Sequence, residues 1–243
     1  YGVGMYIYNV FSSLTTIPIS MYAPQVIKGV GGGLEEKQLA DTLIKPSRLI
    51  VLIGGSVLFG FIAAGRQFIS IVYGESYVTA WLIALVIMIP MFINMANGVI
   101  INVLDALGKR IYRSIILTFT TVANIVLTFW WIKGFGVIGA ALATAVCTFF
   151  GQVVLMNIYY QKKIRIPVIY LFAQTFRGIL PYQMIASACA YAIGMFVSNK
   201  YLSFLAAIVS YLALFAVGFL VIGKNEEEKM LLKKLLRRKN DKN

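Results

Sequence analysis

The sequence predicts an all-α polytopic membrane fold with seven transmembrane helices, and three observations predict it. Mean hydropathy is +0.82. Of 243 residues, 60% are apolar and 13% charged, about half the charged share of a soluble domain. Seven apolar runs approach or exceed the roughly 20 residues that carry a helix across a bilayer core. The net charge of +13 would also suit nucleic acid, but the aromatic residues lie inside apolar runs and do not alternate with basic ones. Membrane lipid is therefore the better partner, and no nucleic acid is expected. The chain has no His, and its two cysteines, Cys147 and Cys189, lie in apolar runs. They read as small packing residues, with neither a disulfide nor a metal site implied.

The spans cover about 2–27, 48–65, 78–104, 111–132, 136–160, 169–198 and 201–223. Charge and Gly punctuate the breaks: Lys28 to Lys45, Arg66 to Tyr77, Asp105 to Arg110, Lys133 to Phe135, Gln161 to Pro167 and Ser198 to Lys200. Pro46 and Pro167 suit first turns of helices. Pro18, Pro90 and Pro181 fall inside spans and predict kinks. The chain divides into five spans over 1–160, two more over 161–223, and a basic tail over 224–243. With alternating loops, 19 of the 22 Lys and Arg fall on one side and 3 on the other; without the tail the split is 11 to 3. Basic loops face the cytoplasm, so the first span runs outside to inside and the C-terminus is cytoplasmic. An odd span count, and an opening at Tyr1 without Met or signal pattern, lead us to expect further helices upstream. In the tail, Met230, Leu231, Leu232, Leu235 and Leu236 share one helical face. It fits either a helix lying on the anionic leaflet or a solvated basic end.

Polar residues inside the spans point to the candidate site. No Asp or Glu lies at mid-span; Glu75 sits in an outer loop and Asp105 at a helix end. Asn9, Ser12, Ser13, Thr16 and Ser20 fall within roughly a 100° arc of the first span. Asn94, Asn97, Asn102 and Asp105 fall within roughly a 140° arc of the third. Lipid cannot satisfy amides. Two readings stay open: walls of a hydrated cavity for a polar cargo, or interhelical hydrogen bonds that hold the bundle together. The fifth span carries small residues at spacing four, Gly139, Ala143, Cys147, Gly151 and Gly136, Ala140, Thr144, Thr148, which permit close helix approach. Trp81, Trp130 and Trp131 read as interface anchors. No phosphate loop, carboxylate pair, nucleophile–base set or metal spacing is present, so no enzyme and no cofactor is expected.

Several stretches carry a family resemblance: Ile17-Pro18-Ile19-Ser20 with Ala23-Pro24-Gln25, Pro46-Ser47-Arg48-Leu49, Tyr73-Gly74-Glu75-Ser76-Tyr77, Asp105-Ala106-Leu107-Gly108-Lys109, and Gly134-Phe135-Gly136-Val137-Ile138-Gly139-Ala140-Ala141-Leu142-Ala143-Thr144. In this order they resemble the C-terminal half of polysaccharide repeat-unit (O-antigen and capsule) flippases, of the multidrug/oligosaccharidyl-lipid/polysaccharide exporter superfamily. The resemblance implies a 14-helix, two-lobe transporter of the bacterial cytoplasmic membrane. It would move a lipid-linked oligosaccharide, with the N-terminal lobe preceding this chain and the coupling ion, H+ or Na+, left open. For such a cargo the polar stripes read above would supply the sugar contacts, on Asn94, Asn97, Asn102, Asn9, Ser12, Ser13 and Thr16, with charge at the cytoplasmic mouth on Lys109 and Arg113. No basic residue is expected at mid-span. An ion-coupled multidrug extruder and a non-transporting membrane scaffold are the competing functions.

The topology has a direct check. Single-cysteine labelling on a cysteine-free background should find position 75 reachable from outside intact cells and position 109 reachable only after permeabilisation.

Overall fold

The structure, a computed structural model, describes residues 2–32 and 36–222, without the side chains of 15–18, 36 and 222. The amphipathic tail read from the sequence and the side chain of Thr16 lie outside the described residues. Those described are helical, with no strand among them. The helices are α1 (Gly2–Gly31), α2 (Glu36–Val72), α3 (Thr79–Met95), α4 (Ile100–Ala106), α5 (Arg110–Thr148), α6 (Met156–Tyr159), α7 (Val168–Phe176), α8 (Ile179–Met195) and α9 (Lys200–Ile222). Wider π-helical turns at Phe149–Leu155 and Tyr160–Ile164 flank α6.

Four stretches among the described residues are long and apolar enough to cross a membrane: Lys37–Val72, Glu75–Met95, Arg110–Ile164 and Lys200–Val221. The third folds back on itself. At Gly136 the backbone takes φ 57°, ψ −140°, a region essentially closed to side chains with a Cβ. The two arms then pack antiparallel. A Cβ on Gly139 would lie 2.4 Å from the Trp131 carbonyl oxygen, and one on Gly151 would collide with Thr120. Asn124 Nδ2 donates to Thr144 Oγ1 across the same seam at 3.5 Å. The row Gly139, Ala143, Cys147 and Gly151 is buried along it, as its small side chains require. Cys189, read as a packing residue, is instead exposed.

Helix α2 is central and packs against α1, α3, α7, α8 and α9. Its 37 residues make it about 55 Å long, so both ends outrun a hydrocarbon core of about 30 Å. Polar ties run along α2 and α8 in step. Arg48 Nη1 donates to the carbonyls of Gln174 and Arg177 at 2.8 and 3.1 Å. Gln183 Nε2 donates to Leu52 O, and Ser187 Oγ to Phe59 O. Helix α9 returns antiparallel, its Ser203 Oγ donating to Gly194 O and its Gly218 meeting Tyr182. Asn102 Nδ2 donates to Ile19 O, and Gly4 lies against Ile83, so α1 and α3–α4 run in parallel. Helical segments therefore alternate in direction. One end of the bundle, here the hairpin end, gathers Gly136 and the α2–α3 and α8–α9 junctions. Eleven of the 14 described Lys and Arg lie toward the other, the basic end.

The breaks do not fall where the prolines predict. Pro90 is buried within α3, and the chain breaks later, at 96–99, through i→i+3 bonds such as Asn97 N to Asn94 O. Gly98 sits there because Ile19 leaves no space for a Cβ. The expected helix over 169–198 is interrupted at Gly178, with φ 81°. Pro181 therefore stands in the first turn of α8, where its missing N–H costs nothing. Pro46 lies ten residues inside α2 rather than at its start. Pro167 does open α7, at its N-cap.

Exposed apolar surface is extensive. Ile111, Ile115, Phe119, Val122, Ile125 and Phe129 form one exposed stripe on α5. Helix α9 exposes Leu205, Val209, Leu212, Val217 and Leu220. Such continuous faces exceed what a water-soluble monomer presents and are those of a multi-pass membrane protein.

Gly136→Ala should lower the thermal midpoint in detergent by the equivalent of about 1–3 kcal/mol, since Ala cannot relax into that φ/ψ region. Gly134→Ala, where a Cβ meets nothing within 4 Å, should leave the midpoint unchanged.

Candidate functional site: an amide cluster at a broken helix

The break at 96–99 faces the widened turns of the hairpin's second arm. Asn94 Nδ2 donates to Gln152 Oε1 at 2.8 Å, and Asn97 Nδ2 donates to Asn157 Oδ1 at 2.8 Å. Gln152 and Asn157 are five residues apart. In an ideal α-helix, at 100° per residue, they would point about 140° apart. The π-helical turn over Phe149–Leu155 changes that phase, as its i→i+5 bonding requires, and both amides reach the same break. Asn97 is 2% exposed, and its Oδ1 has no hydrogen-bond partner among the described residues. That leaves one buried acceptor for something outside the present set.

Asn94, Asn97, Gln152, Arg113 and Tyr160 line a cavity of about 20 Å³. This is room for about one water, far below the roughly 300–1,000 Å³ of a small-molecule pocket, so in this conformation the cluster is closed. Its lining carries one guanidinium and no carboxylate. Amides supply both donors and acceptors, and a guanidinium supplies five donors at fixed charge. The chemistry offered is recognition of hydroxyl-rich or anionic groups.

The predicted residues separate into four groups. Asn94 and Asn97 come together with Arg113. The first arm of the hairpin carries Arg113 beside the asparagines. Asn102 does not join them. The chain breaks between positions 97 and 102, ending their common face, and Asn102 ties α4 to the Ile19 carbonyl at 3.2 Å. That carbonyl lies next to the one, of Ser20, that loses its in-helix donor to Pro24. Lys109 is the N-cap of α5 and lines no part of the cavity. Asn9, Ser12 and Ser13 also lie away from it. Asn9 and Ser13 are exposed on the outer face of α1, Ser12 is half-buried, and Ser13 Oγ donates to Asn9 O at 2.8 Å. Sequence reasoning missed Gln152, Asn157 and Tyr160. The signal was their polarity in an apolar span, but helical spacing scatters them.

No protein-family model, curated protein or solved structure gives a match to this chain.

The amide pairs are expected to couple weakly. A double-mutant cycle of Asn94→Leu and Gln152→Leu, read by unfolding in mixed micelles, should give an interaction energy of about 0.6 kcal/mol, the usual value for hydrogen bonds between membrane helices.

Proposed function

We propose that the chain is the C-terminal, seven-span half of a 14-helix transporter that flips lipid-linked oligosaccharide repeat units across the bacterial cytoplasmic membrane. Seven spans follow if α1, α2, α3–α4, the two arms of 110–164, α7–α8 and α9 each cross once, with the basic end and the C-terminus in the cytoplasm. The resemblance of the Gly134–Thr144 junction and the Asp105–Lys109 turn to repeat-unit flippases supports this reading.

The observation that carries it is a contrast between exposed faces. Asn9 is exposed on α1, and its side-chain amide has no partner among the described residues. Ser13 and Ser20 share that face. Helix α1 packs against α3, which carries Asn94 and Asn97 of the cavity. The exposed positions of α9, by contrast, carry no Ser, Thr, Asn or Gln. Hydrocarbon leaves an amide unsatisfied at a cost of several kcal/mol, so the Asn9–Ser20 face of α1 suits a wet cleft and the α9 side suits lipid. Asn94, Asn97, Gln152 and Arg113 lie at the back of that cleft. They would reach the sugar and its diphosphate once α1 or the hairpin moves to open the closed cavity.

Two experiments test the reading. Cysteines placed at Asn9, Ser13 and Ser20 should react with a water-soluble thiol reagent in the assembled transporter, and cysteines at Val209, Leu212 and Val217 should not. In a strain lacking its own flippase, Arg113→Gln should reduce export of surface polysaccharide by about tenfold or more, the loss expected from one charge-assisted hydrogen bond. Unchanged export, with the protein inserted at normal levels, would remove Arg113 and the cavity from the transport path.

A further inference from the structure

A second cleft lies at the hairpin end, away from the amide cluster. The last turns of α2, the Glu75–Tyr77 turn, the end of α8 and the start of α9 enclose about 260 Å³. That is room for a phosphate with its ester substituents. Arg66 and Lys200, two of the three described cations at this end, both line it. Neither forms an ion pair among the described residues; Lys200 Nζ lies 5.6 Å from the Tyr201 ring centroid. Glu75 lines the same cleft, its carboxylate accepting a hydrogen bond from Ser70 Oγ. Gln67 Nε2 donates to Ser203 Oγ at 3.3 Å, while Gln67 Oε1 is buried with no hydrogen-bond partner among the described residues.

The charge pattern restricts the occupant. Two unpaired cations facing one cleft attract an anion and repel each other while it is empty. A purely anionic ligand would also face the Glu75 carboxylate. A zwitterion carrying a phosphate and an ammonium would engage both signs. The rim indicates what the zwitterion is attached to: Val72, Tyr77, Met195, Phe196, Tyr201 and Leu202 are all more than half exposed around these helix ends, Phe196 at 90%. Apolar and aromatic side chains around a charged cleft at the ends of membrane helices match the interface level, where headgroup meets acyl chain.

We infer that this cleft is a docking site for an aminophospholipid headgroup, with Arg66 and Lys200 holding the phosphate and Glu75 holding the ammonium. The inference goes beyond the transport proposal and stands without it; it requires only that the chain lie in a membrane.

The test is native mass spectrometry of the full chain released from detergent. Phosphatidylethanolamine or phosphatidylglycerol is added, and inorganic phosphate serves as competitor. The unaltered chain should retain phosphatidylethanolamine over phosphatidylglycerol. The double variant Arg66→Gln/Lys200→Gln should lose the adduct by about tenfold or more, with its thermal midpoint checked in parallel. Glu75→Gln should keep lipid but reverse the preference toward phosphatidylglycerol, a change of specificity that a folding defect does not produce. Undiminished retention in a folded double variant would overturn the inference. So would an unchanged preference in Glu75→Gln, or displacement of the lipid by inorganic phosphate alone, which would mark a free-phosphate site.

Discussion

Every carbonyl released where an apolar helix breaks has to find a donor inside the chain, and much of this structure follows from that demand. A span with few polar side chains cannot leave a broken turn to lipid. At the Gly178 break, Arg48 reaches across from α2 to the carbonyls of Gln174 and Arg177. Near Pro24, Asn102 donates to Ile19 O, one carbonyl before the Ser20 carbonyl that the proline leaves without its in-helix donor. At 96–99 the backbone closes its own i→i+3 bonds, and Asn94 and Asn97 turn outward to the hairpin. Arg48, Asn94 and Asn97 thus serve interruptions, and the candidate site coincides with one of them.

Glycine sets how closely the helices pack around these breaks. Gly55 makes room for the fully buried Gln183, Gly60 for Tyr211, and Gly218 for Tyr182. Hydrophobic burial drives little helix association in lipid, where tails are as apolar as Leu, so close approach and a few interhelical hydrogen bonds do most of the joining. The junction of α2, α8 and α9 is built in this way, and the polar cleft at the hairpin end opens where the same three helices diverge.

Apolar runs, their alternation and the sidedness of charge were legible in the sequence because hydropathy and basic residues report them directly. The turn at Gly134–Gly136 was legible for the same reason. The positions of the breaks were not. Proline gives up one hydrogen bond, which a packed helix tolerates, so Pro46 and Pro90 remain inside continuous helix. Gly98 and Gly178, which do mark breaks, look in sequence like ordinary small residues. The asparagine stripe was half legible: Asn94 and Asn97 do share a face, but extending it to Asn102 assumes an unbroken helix. Gln152 and Asn157 were hidden because the π-turn that aligns them leaves no periodic trace. Arg113 was read as a charge at the cytoplasmic mouth, and its place beside the asparagines was not legible, because distance along a span says nothing about the neighbour across the seam.

The tight turn at Gly136 also bears on how the protein enters the bilayer during synthesis. Its arms contact each other along most of their length, and among 130–137 the only charged residue is Lys133, costly by about 2.5–3.5 kcal/mol at a membrane centre. Two apolar arms of this length outweigh one lysine. Residues 110–164 are thus suited to leave the insertion machinery together, as a preassembled pair, with the Thr120–Gly151 seam already closed before α7 emerges.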